Sequence, residues 1–146
     1  MSQYVCVDAS LAAKWLLREH DRSLALRLRT DIRGRGDEFI APYHLPGEVA
    51  SAIYKSAQTG KISPEVSRLT MARIIGLDIE LINTPELPVR AYEIAATFRL
   101  KWIYDALYVA LADVVGCDMW TADASLHAAV RDAFPNVHLL TELQTA

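Results

Sequence analysis

Cysteine is scarce in this chain of 146 residues: there are two, Cys6 and Cys117. Without CxxC spacing or a secretion pattern they fit neither a disulfide framework nor a thiolate metal site, and both read as small buried hydrophobes in strand-like runs. Low-complexity tracts and internal repeats are absent, and 52% hydrophobic with 23% charged residues is a globular rather than a disordered composition. One domain spanning residues 1–146 is expected, long enough to bury a continuous core. Long uncharged apolar runs are also missing. The opening "MSQYVCVDAS" meets Asp8 too early for a signal peptide, and "WIYDALYVALADVV" (102–115) is too short and too charged to span a bilayer. A soluble cytoplasmic protein with no membrane partner is therefore expected. Nor is there an excess of basic residues. The net charge of −3 argues against coating nucleic acid through a basic surface. If four of the 18 acids gather at one site, however, 14 acids face 15 basic residues elsewhere, which leaves room for a modest phosphate-binding patch.

What the chain does contain is a regular alternation of strand and helix signals. "QYVCV" alternates as a strand and gives way after "DAS" to the helical spacing of Leu11, Trp15 and Leu16. "DRSLALRLRTDIRGRG" predicts a second helix, "EFIAP" a strand, and "LPGEVASAIYKSAQTG" a helix with Pro46 in its first turn and Gly60 as its stop. "SPEVSRLTMARIIGL" continues as one helix with Ser63 as cap, followed by "DIELINT" as a strand and "PELPVRAYEIAATFRL" as a helix. Asp105 then opens its own helix, "GCDMWTAD" is a strand leading into "ASLHAAVRDAF", and "NVHLL" closes the chain as a strand. Five short strands alternating with helices predict an α/β fold, a three-layer α/β/α sandwich with a mostly parallel five-stranded sheet.

Asp105 is the residue that fits this pattern least, because its helix is apolar nearly all the way round and a bare carboxylate in a core costs several kcal/mol or more. It has company. Asp8 and Asp123 each end a strand and begin a helix, and Glu48 and Asp105 lie in the first turn of theirs. In an open parallel sheet such junctions line one edge, the crevice where these folds bind ligands. Each acid alone is equally a helix cap or a first-turn partner of the helix dipole. Three details point further: Ser10 is placed to cap the first helix in place of Asp8, Pro46 and Gly47 before Glu48 allow close backbone approach, and bulky apolar residues surround Asp105. Asp113, two turns on, reads as a solvent-facing acid outside the site.

Four carboxylates brought together repel, and a hard divalent cation with oxygen ligands is the natural compensation. Such an ion activates water and offsets charge on a phosphoryl group, and helix N-termini add amide donors for phosphate oxygens. The chemistry suggested is phosphodiester hydrolysis. Ser10 and Thr121 supply hydroxyls that can orient a carboxylate, or serve simply as a cap and a strand residue.

These residues resemble a known family, the PIN-domain ribonucleases, and within it the VapC-type toxins of toxin–antitoxin pairs. "YVCVDASLAAKWL" is similar to the family's opening strand with its first Asp, "LPGEVASAIYK" to the helix carrying its Glu, "YDALYVALA" to the motif with the central Asp, and "WTADASL" to the last acidic motif. The resemblance spans almost the whole chain. It implies a PIN-type sandwich, Mg²⁺- or Mn²⁺-dependent cleavage of RNA, metal-binding acids at Asp8, Glu48, Asp105 and Asp123, supporting hydroxyls at Ser10 and Thr121, a homodimer, and a cognate antitoxin that lies across the active site. The chain departs from the family at Ala124, where many relatives carry a larger or charged residue, and in "HLPG" before Glu48, where His44 is a candidate RNA contact.

Lys14, Arg18, Arg99 and Lys101 flank the first helix and the start of the Asp105 helix, and are candidates for substrate phosphates or simply a solvated face. Trp102 and Tyr104 are suited to stacking a base or to anchoring a dimer interface. Two rivals stand beside the metal-dependent endoribonuclease. A receiver-type phosphoacceptor domain needs paired acids near the first strand and a lysine near the last, and this chain has only Asp8 there and no lysine after Lys101. A non-catalytic PIN-like partner-binding module would bind no metal.

Overall fold

The computed structural model describes residues 3–145; Met1, Ser2 and Ala146, which the expected domain includes, lie outside them. Strands β1 (Tyr4–Val7), β2 (Glu38–Pro42), β3 (Glu80–Ile82), β4 (Asp118–Thr121) and β5 (Val137–Leu139) form one sheet in the order β3-β2-β1-β4-β5. Every pairing is parallel, with Cys6 opposite Ile40 on one side and Met119 on the other. The expected mostly parallel sheet is thus parallel throughout. Helices α1 (Ala9–Leu16), α2 (Arg22–Gly34), α3 (Leu45–Gln58), α4 (Pro64–Ala72), α5 (Leu87–Phe98), α6 (Ile103–Val115) and α7 (Ala124–Val130) make the connections, giving the three-layer α/β/α arrangement.

The central strands are buried residue after residue, as Val5, Cys6 and Val7 in β1 and Phe39, Ile40 and Ala41 in β2 show. A strand covered on both faces needs apolar side chains in both directions, which is why these runs do not alternate. Helix α6 lies against β1, β2 and β4, and its buried residues begin at Ala106. Strand order reverses at β1, whose neighbour on one side is β2 and on the other β4. A ligand crevice is expected at such a switch point, beyond the carboxyl ends of β1 and β4. Asp8 follows the first of these strands and Asp123 the second.

Several local expectations change. Asp8, not Ser10, caps α1: its carboxylate accepts from the Leu11 amide, because an N-cap side chain reaches the third residue on and Ser10 is already inside the helix. The expected single helix after Ser63 ends at Ala72 and tightens into a 3₁₀ turn over Arg73–Gly76. Ser63 does cap α4, accepting from the Val66 amide at 3.2 Å. Cys6 is fully buried, but Cys117 precedes β4 and is only partly buried; both thiols are free. Asp113 is exposed as expected yet is not unpartnered, since Arg90 donates to it through Nε and Nη2 at 3.1 and 3.0 Å and ties α5 to α6.

Candidate active site

The four acids stand at four helix starts, and the helices use them in two different ways. Asp8 and Asp123 are true N-caps; Asp123 accepts from the amides of Ser125 and Leu126 at 3.0 and 3.1 Å. Helices α3 and α6 begin at His44 and Trp102, neither of which caps with its side chain. Glu48 and Asp105 lie within the first turn, past the cap position, and neither carboxylate accepts from the backbone of its own helix end.

Asp8 is 4% exposed and surrounded by donors. The Ser10 hydroxyl donates to Oδ1 at 2.7 Å, the Leu11 amide donates to the same oxygen at 3.0 Å, and the Thr121 hydroxyl donates to Oδ2. Those hydroxyls are fixed in turn: Ser10 Oγ accepts from the Ala122 amide and Thr121 Oγ1 from the Asp123 amide, both at 3.0 Å. The first and last acidic segments are thereby laced together across the β1–β4 junction. Burial pushes the Asp8 carboxyl up from 3.8 to about 6, with Asp123 adding to the rise and the three donors opposing it. A carboxylate this well supplied with donors is oriented by the fold rather than by solvent.

The other corner is built differently. Tyr108, one turn along α6 from Asp105, donates its hydroxyl to Glu48 Oε1 at 2.7 Å, and His44 Nε2 lies 3.2 Å from the same oxygen. Burial raises the Glu48 pKa, but the nearby His44 and the bond from Tyr108 outweigh it and the net shift is downward. Burial and the bond to Glu48 drive the Tyr108 phenol far above its ordinary range, so it stays a donor. Asp105 has no such partners. Burial first, then the charges of Glu48 and Asp123, push it from 3.8 to about 6, with His44 the only opposing influence. Glu48, Asp105 and Asp123 therefore share one field, and Asp8 joins it through Asp123. As they stand, no three His, Cys, Asp or Glu side chains among the described residues form a ready-made metal-binding group.

The remaining candidates scatter. Lys14 is turned to the loop after α1, donating to the His20 carbonyl at 2.8 Å and pairing with Glu19 at 3.5 Å, so it is not free for a phosphate. Arg18 is exposed beyond the end of α1, Arg99 is the left-handed residue that ends α5, and Lys101 lies over the Trp102 ring. Trp102, Ile103 and Tyr104 are 56%, 39% and 51% exposed, so the bulky residues before Asp105 do not bury it; only the residues after it join the core. Gly47 has nothing within 4 Å of where a side chain would begin, so its smallness is not demanded by this chain's own packing. Its surroundings, His44, Glu48, Ser51 and Tyr104, line an open cleft of about 370 Å³. Tyr108 and the pairing of His44 with Glu48 were not anticipated. The signal for Tyr108 was its hydroxyl on the buried side of an apolar helix, which must find a partner.

Comparison with known proteins places these observations in context. The family model described as "PIN domain" matches residues 7–133. "Ribonuclease VapC3" from two strains of Mycobacterium tuberculosis is 29% identical over 145 residues, covering 94% of this chain and 93% of that protein. The crystal structure of PAE2754 from Pyrobaculum aerophilum shares the fold with a TM-score of 0.68 at 18% identity over 100% of both chains. That of Mycobacterium tuberculosis VapC20, titled a sarcin-ricin loop cleaving toxin, does so at 0.62 and 17% identity over 86% of this chain and 94% of its own.

Proposed function

The chain belongs to the PIN domain family, and on that premise we propose that it is a metal-dependent endoribonuclease, the toxin of a toxin–antitoxin pair, acting as one domain over its 146 residues. One observation carries the reading: Asp105, lacking donors of its own, is held near 6 by burial and by the charges of Glu48 and Asp123, beside an Asp8 fixed by three donors. Such a field calls for a cation. The donor set is carboxylate oxygen throughout, which suits Mg²⁺ or Mn²⁺, and a small hard cation that keeps several waters needs only one or two carboxylates directly. The lack of a closed three-acid group is therefore compatible with Asp8, Glu48, Asp105 and Asp123 holding the ion partly through water.

When bound, the cation would acidify a coordinated water and offset charge on the phosphoryl oxygens. The chain's own residues prepare for this. Ser10 and Thr121 aim Asp8, His44 and Tyr108 aim Glu48, and the uncapped amides at the starts of α3 and α6 are available to phosphate oxygens. The substrate is RNA and the regulator a cognate antitoxin, a reading supported by the VapC relatives. The exposed Trp102, Ile103 and Tyr104 suit a homodimer contact. The proposed site of action is the cytoplasm; no described helix is long and apolar enough to cross a membrane.

The test is incubation of purified protein with RNA in Mg²⁺ or Mn²⁺. Cleavage that stops with EDTA and with Asp105→Asn is the expected result, and cleavage that survives both would refute the site. Calorimetric titration of the metal separates this reading from a partner-binding module, which would take up none.

A further inference from the structure

Where the end of α1 meets the start of α2 and the α3–α4 turn, cations gather without ion-pair partners among the described residues. Arg18, Arg22, Lys61 and Arg73 line a cavity of about 390 Å³ over a floor that includes Leu16 and Ile62. Arg29 stands near them with its guanidinium 5.5 Å from the centre of the Trp15 ring. Its pKa is lowered by burial and then by the charges of Arg33, Arg73 and Arg22, so the group is crowded by its own kind. Arg22 buries its Nε without a hydrogen-bond partner. Among the described residues, the ion pairs made by lysine and arginine all lie elsewhere, at Lys14, Arg27, Arg33, Arg35, Arg90 and Arg131. In a chain of net charge −3, unpaired cations concentrated around one cavity form a locally positive site suited to an anion.

We propose that this cavity binds backbone phosphates of the RNA substrate away from the bond that is cut. The proposal rests on the ribonuclease reading and extends it to residues outside the acid crevice. A polyanion is repelled by four carboxylates, so affinity for RNA has to come from cations set apart from them. Helix α1 joins the two places: Asp8 caps its start, Arg18 follows its end, and eight residues span about 12 Å. The partly exposed residues Ser10 and Lys14 share one side of that helix, leading from the crevice towards Arg18. Arginine forks match phosphate oxygens two at a time, and Lys61 on the adjoining turn adds a mobile point charge.

The discriminating measurement is binding of labelled single-stranded RNA by the full chain at a series of salt concentrations with divalent ion withheld, beside cleavage kinetics in Mg²⁺. Each lost phosphate contact flattens the plot of log affinity against log salt by about 0.7 for a single strand. Arg22→Gln with Arg73→Gln is expected to flatten it by about 1.4 and to raise KM while leaving kcat unchanged. The double lysine variant should restore the slope, a rescue that a merely structural role would not give. Lys61→Gln, at an exposed position, should give about half the effect and serves if the arginine variants fold poorly. An unchanged slope and KM in the glutamine variants would overturn the proposal. So would variants that keep RNA binding but lose binding of poly-glutamate, which would make the cavity a docking place for an acidic peptide. If wild-type protein cleaves no RNA in any divalent ion, the ribonuclease reading fails instead, and the binding slopes still decide whether the cavity takes RNA.

Discussion

Asp8 and Asp105 are both pushed to about 6, each chiefly by burial, yet the partners around them differ. Asp8 is deeply buried and held by Ser10, Leu11 and Thr121; Asp105 is half-buried with no donor of its own and with Glu48 and Asp123 pressing on it. The first is a carboxylate whose position the fold has secured. The second is one whose position stays costly until something positive arrives. A shifted pKa therefore says little alone: the hydrogen-bond partners show which acid the fold has fixed in place and which it leaves without a partner.

Removing either charge has the largest expected effect. Asp8→Asn and Asp105→Asn are each expected to lower RNA cleavage by at least about 100-fold, read as kcat/KM in Mg²⁺. Their stabilities should then diverge. Thr121→Val removes the donor to Asp8 Oδ2 and leaves a buried carboxylate under-satisfied, at a cost of about 1–3 kcal/mol in chemical denaturation and roughly 10- to 100-fold in activity.

Asp105→Asn in metal-free protein should go the other way. Its folded pKa lies above its ordinary 3.8, so the folded state holds the proton more tightly; that contribution is complete below about pH 4 and is lost as pH rises through about 6. The variant, which cannot ionise, should therefore be more stable than wild type at pH 7.5 by about 1 kcal/mol after allowance for solvent screening, a Tm gain of a few degrees. The gain should vanish by pH 4. A variant less stable at both pH values would show that Asp105 is a structural acid. The smallest effect belongs to Tyr108→Phe, which frees Glu48 at a cost of about 1 kcal/mol and a few-fold in cleavage, the Glu48 pKa rising as its donor goes. A Glu48 signal in carbon NMR titration that does not move would show that His44 alone holds it.

Legibility followed sequence distance. The five strands, the helix starts and the positions of the four acids were readable because periodicity and turn chemistry involve residues within a few places of one another. Even so, the residue that caps α1 is not legible in the sequence, since Ser10 and Asp8 both suit the role and only the start of the helix decides between them. The exposure of Trp102, Ile103 and Tyr104 was hidden too, because an apolar run says that residues are apolar and not that anything covers them.

From its sequence alone this protein has an alternating α/β order, a parallel sheet and four carboxylates at helix starts, all legible from short stretches of residues. The tertiary structure decided which of those carboxylates are satisfied. The bond from Thr121 to Asp8 crosses 113 positions and that from Tyr108 to Glu48 crosses 60, and the cations around the second cavity come from segments far apart in the chain. Burial and charge pairing are properties of space rather than of sequence, so they exist only once the layers have closed over the sheet.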